Sequence, residues 1–197
     1  MTPTSDFGYF EMRLRGREDD YPTLLEISSF LYDFNLIYEF SRLATDPRYA
    51  SYTFSQYSWN RDARPLANDD RLRVVTLRHE SPIVLIAVGA AVPPAVGAIW
   101  GVVQIVEKIA NFPLNRDILK LQRDKLRKEL VPTNTDAVMP LDEETFRHQL
   151  QIREGIYYYD RTGKRLQGSS IRITEFEITT IRHLPPKSRG PDEPLVQ

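Results

Sequence analysis

Between Ile83 and Val106 the chain carries no charged residue, and Gln104 is its only strongly polar one. An uncharged stretch of 24 residues has three places to go: a bilayer, the core of a fold, or an interface. As a single helix it would reach across a membrane, which takes about 20 residues. Its Gly97-Ala-Ile-Trp-Gly101 pattern lets apolar helices approach closely. Lys108, Arg116, Lys120, Arg123, Arg127 and Lys128 follow, as a cytoplasmic flank would.

Three features favour a buried strand and helix instead. Pro93-Pro94 sits in the middle of the run, where a strand-turn-helix accommodates it without strain. The first half, Ile-Val-Leu-Ile-Ala-Val, is β-branched and stands next to the turn signal Glu80-Ser81-Pro82. Spanning with the basic side inside would also export everything before Ile83. Yet the start, Met1-Thr-Pro-Thr-Ser-Asp-Phe7, has no basic segment followed by an apolar run. The reading is therefore a hairpin of 72–79 with 83–88, whose second strand is apolar on both faces and belongs at the centre of a sheet. A helix follows from Pro93-Pro94 to about Asn111. Its first three turns are apolar on every side, more than one sheet can cover. The sequence thus predicts self-association through this segment, with Gly97, Trp100, Gly101 and Val103 at the contact. A membrane-engaging protein that inserts or docks 83–106 is the alternative.

The rest of the chain predicts an α+β fold with an antiparallel or mixed sheet. Residues 7–16 alternate, with Phe10, Met12 and Leu14 on one face, and Gly16 is expected to end that strand. A helix from Pro22-Thr23 to about Ala44 carries Leu24, Ile27, Leu31, Phe34 and Tyr38 as a stripe for the sheet, and Thr45-Asp-Pro47 stops it. Tyr52–Ser58 reads as a short strand before a polar loop. A charged helix is expected over 114–130 and a linker over 131–140. Asp142 can cap a short helix that ends before Gly155. Ile156–Tyr159 and Ile171–Ile181 read as strands about a turn at Asp160–Gly163. In the last strand the apolar parity shifts from Ile171 and Ile173 to Phe176 and Ile178, which places a bulge near 174–175. The expected division is a core domain over 1–130, a small helix-plus-hairpin unit over 131–184, and a proline-rich tail over 185–197.

Composition narrows the chemistry. A net charge of −1 over 197 residues draws the chain to neither nucleic acid nor an acidic membrane. The absence of cysteine excludes disulfides, thiolate metal sites and thiol nucleophiles, and suits a cytoplasmic, reducing compartment. Arginine-heavy usage points to a bacterial, GC-rich coding bias. On the 114–130 helix, Arg116, Lys120, Arg123 and Arg127 form a stripe that can meet an anionic partner, although Asp117 and Asp124 stand close enough to pair with it. The aromatic residues at 49–59, flanked by Arg48, Arg61 and Arg64, can stack bases but fit a strand face better. His79, His148 and His183 are scattered, and no metal spacing, nucleophile elbow or dinucleotide fingerprint occurs. Asp19-Asp20, Asp69-Asp70 and Glu143-Glu144 sit where solvated acids are expected, and Glu175 with Glu177 share one strand face. No cofactor, metal or catalytic residue is assigned. The chain is read as a non-catalytic interaction and assembly module, with itself or another protein as partner; a metal-dependent or hydrolytic enzyme comes third.

Overall fold

The computed structural model describes residues 9–18, 22–54, 66–79, 83–90, 95–109 and 143–181. The charged helix with its stripe Arg116, Lys120, Arg123 and Arg127, the linker after it and the proline-rich tail lie outside the described residues.

The uncharged run divides as its prolines and β-branched residues dictate. Ile83–Ala90 is a strand, β3, and Ala95–Ile109 is a helix, α2. With β1 (Tyr9–Glu18), β2 (Arg73–His79) and β4 (Ile171–Ile181), β3 forms a four-stranded sheet in the order β2-β3-β1-β4. All neighbours are antiparallel, so the fold is α+β. β3 is interior, and its residues are buried or half-buried on both faces: Ile83, Leu85 and Ala87 on one side, Val84, Ile86 and Val88 on the other. Among the described residues no helix is long and apolar enough to cross a membrane.

The parity shift in β4 marks a real irregularity. Arg15 stands opposite Glu175 while Gly16 stands opposite Ile173, which leaves Thr174 as the extra residue. Its hydroxyl donates to the Arg15 carbonyl at 3.2 Å. The bulge turns Ile171, Ile173, Phe176 and Ile178 all into the core beside Met12 and Leu14. Gly16 does not end β1, as its type suggested; the strand continues to Glu18.

Leu24–Thr45 forms α1. Thr23 opens it with a capping box, accepting from the Glu26 amide at 3.2 Å while the Glu26 carboxylate takes the Thr23 amide at 2.6 Å. Leu24 and Leu25 remain exposed, whereas Phe34 and Tyr38 reach the sheet, Phe34 edge-on to Phe176 at 6.4 Å and Tyr38 against Phe10 at 6.1 Å. The predicted stripe thus meets the sheet from its third turn onward. From Leu36 to Ala44 every residue is buried, so this half of α1 is covered on all sides. Full burial of each large apolar side chain is worth about 1.5–3 kcal/mol.

Two more helices complete the cover, α3 (Glu143–Ile152) and α4 (Ile156–Gln167). The second corrects the sequence reading: Ile156–Tyr159 is no strand, and Asp160–Gly163 is no hairpin turn. Tyr159, Thr162, Gly163 and Leu166 fall at helical spacing and face inward. Gly163 belongs mid-helix because a Cβ there would stand 2.9 Å from the Ile105 Cδ1 of α2. The Tyr159 hydroxyl donates to the Gly101 carbonyl at 2.7 Å, and Arg165 grips Asp33 of α1 at 2.9 Å. With no strand at 156–159 to pair with, β4 pairs with β1, and the last described strand closes the sheet that the first began. Between α3 and α4 the left-handed residue is Glu154 at φ 61°, not Gly155.

Candidate functional site

The end of α1 gathers charge into the core. Arg42, fully buried, reaches Asp70 at 2.9 Å and Asp46 at 3.2 Å. Arg48, half in solvent, closes the ring from outside with contacts of 2.7 Å to Asp46 and 2.8 Å to Asp70. Tyr49 donates to Asp70 Oδ2 at 2.7 Å, and Tyr38 to the Asp70 carbonyl at 3.0 Å. Burial alone would raise the Asp70 pKa, but hydrogen bonds from Arg48 and Tyr49 and the charges of Arg42 and Arg48 outweigh it and hold the carboxyl below the usual range. Burial pushes the Tyr38 phenol up. Two cations and two anions leave the ring neutral, and each carboxylate is shared between guanidinium groups. Its chemistry is that of a clasp: it fastens the segments at 46–49 and 66–71 to α1. Arg153 extends it, donating to the carbonyls of Leu43 and Tyr49, the first among the last carbonyls of α1.

This clasp divides the pair Asp69-Asp70, which the sequence placed in solvent. The Asp69 side chain is 92% exposed and that of Asp70 5%.

The sheet edge does the reverse. β2 exposes Val74 at 59%, Val75 at 37% and Leu77 at 46%. Val74 and Leu77 stand opposite Ala87 and Leu85, on the helix-bearing face, and the register slips at Val75. On the other face of β2 stand Arg73 and Arg78, both exposed. β4, the opposite edge, buries its apolar side chains and presents Glu175 and Glu177 outward. Glu175 pairs with Arg15 at 3.3 Å, and Glu177 stands opposite Arg13. Glu175 thus serves cross-strand charge pairing, while Arg13 holds Glu11 of its own strand at 3.3 Å.

The residues predicted for self-association lie elsewhere. Gly101 and Val103 are interior. A Cβ at Gly101 would sit 2.5 Å from the Ser41 Cβ, closer still to its Oγ, and 3.0 Å from Phe146. The close crossing that Gly101 permits is made with α1 and α3 of the same chain. Gly97 and Trp100 are on α2, with the Trp100 side chain outside the described residues. His148 is exposed on α3, in an open groove of about 770 Å³ lined by Glu144, Thr145, Arg147, His148 and Gln151. Arg147 is engaged there by Asp160 at 3.1 Å. The His79 side chain and His183 lie outside the described residues. Among the described residues no group of His, Asp or Glu is placed to hold a metal. The segment 52–54, expected in a strand, is not one, and Phe54 instead packs edge-on against Phe40 at 5.3 Å; residues 55–58 lie outside the described set. No protein-family model, curated protein or solved structure matches the chain.

Proposed function

We propose that the chain is a non-catalytic assembly module that associates with copies of itself, and that the contact runs through β2, the strand that leads into the apolar segment. One observation carries this reading: Val74, Val75 and Leu77 are exposed on a strand that, among the described residues, is an edge of the sheet. An edge strand offers unpaired backbone groups to another chain, and proteins that remain single blunt such edges with charge or proline. Here the middle of the strand is apolar and the arginines stand at its ends. Strand addition would bury those side chains and extend the backbone ladder, each hydrogen bond adding about 0.5–1.5 kcal/mol net. The contact is small, so the association is expected to be concentration-dependent.

The test is native mass determination without detergent across a concentration series. The wild type should grow in mass by tens of micromolar. Val75→Lys/Leu77→Lys should stay monomeric with unchanged circular dichroism. A wild type that remains monomeric throughout defeats the proposal, and recovery only from membranes would replace it with the membrane-engaging reading.

A further inference from the structure

The two edges of the sheet fit each other. Because every neighbouring pair is antiparallel, β2 runs with β1 and β4 runs with β3, so β2 and β4 are antiparallel to one another. A second copy in the same orientation, its β4 beside the first copy's β2, therefore continues the antiparallel ladder and keeps both helix layers on the same side. Their charges match as well. On the face away from the helices β2 carries the exposed Arg73, which also holds Asp69 at 3.1 Å, and Arg78; β4 carries the exposed Glu175 and Glu177, with Arg172 nearer its start. On the helix-bearing face the neighbour offers apolar cover. Leu24 and Leu25 are exposed on the first turn of α1.

Pairing like edges can also keep the ladder antiparallel and the helix layers on one side, so charge decides between the two arrangements. A two-fold β2–β2 contact sets Arg73 and Arg78 of both copies in one ribbon, and like charges across strands are destabilising; β4, which carries Arg172 beside its glutamates, leaves Val74 and Leu77 uncovered when it pairs with itself. We infer that the chain assembles head to tail, β2 of one copy adding to β4 of the next, into an open series or a ring and not a closed two-fold dimer. This rests on the self-association proposed above and specifies its geometry.

A chain-terminator experiment tests it. Val75→Lys/Leu77→Lys keeps β4 intact, so it can join an assembly but cannot be extended from its own β2. Added in equimolar amount, it should at least halve the mean mass of preformed wild-type assemblies in light scattering. Glu175→Gln/Glu177→Gln removes the charge of the other edge without changing its shape and should reduce assembly by itself. Wild-type mass that stops at a dimer, or assemblies that neither variant perturbs, would overturn the head-to-tail geometry while leaving self-association standing. A wild type that is monomeric at every concentration overturns both.

Discussion

The end of α1 and the strand β2 sort their residues in opposite ways. Around Arg42 the core holds one guanidinium group and two carboxylates, with Arg48 closing them from the solvent side, while on β2 two valines and a leucine face water. Charge can be buried at the helix end because both carboxylates find guanidinium groups within 3.2 Å, although Arg42 keeps Nε and Nη1 without a hydrogen bond. Apolar side chains stay exposed on β2 because a four-stranded sheet has two edges and its described helices do not cover this one. The contrast teaches that burial here follows the availability of partners, not polarity.

The largest effect is expected from breaking the clasp. Asp70→Ala leaves Arg42 and Tyr49 without their common acceptor, and removing one member of a buried pair typically costs about 3–5 kcal/mol. Urea unfolding measures it, and a loss below 1 kcal/mol would show that the ring behaves as a surface pair. The pH dependence has a definite sign. The Asp70 pKa is lowered in the fold, so its stabilisation is complete above the unfolded value of about 3.9 and fades as pH falls through the folded value. Wild type should therefore lose stability on acidification below about pH 4, and Asp70→Asn should flatten that slope.

An intermediate effect is expected where α2 crosses α1. Gly101→Ala drives a methyl group into Ser41, and overpacking of this kind costs about 1–3 kcal/mol. The loss should appear as a lowered midpoint of thermal unfolding at a protein concentration where the chain is monomeric. An assembly defect in a fully stable variant would instead return Gly101 to the interface first expected of it.

The smallest effect sharpens the other half of the contrast. Leu77→Lys should change monomer stability by no more than about 0.5 kcal/mol, as surface substitutions do, because nearly half of that side chain already meets solvent. A loss of several kcal/mol would mean that Leu77 belongs to the core of its own chain.

How much of this was legible depended on the range of the interactions. The hairpin of β2 and β3, the start of α1 and the bulge at Thr174 could be read because each is written in neighbouring residues: a turn between two apolar runs, a proline and threonine ahead of an apolar stripe, a change of parity. The helix at 156–167 was misread because three tyrosines favour strands locally, while its true support comes from Gly101, Asp33 and Ile105 on other elements. The clasp was missed for the same reason, since Arg42 and Asp70 are 28 positions apart.

The sequence by itself determined that the uncharged run would become a central strand and a helix, since Pro93-Pro94 and the β-branched residues before it permit little else. It likewise determined that β1 and β4 would each turn one apolar face inward. Only the tertiary structure decided which surfaces remained free. Periodicity reports that a side chain must be covered, but not by what. α1 and α3 close over Gly101, and β2 is left as an edge, because cover depends on contacts between elements far apart in the chain.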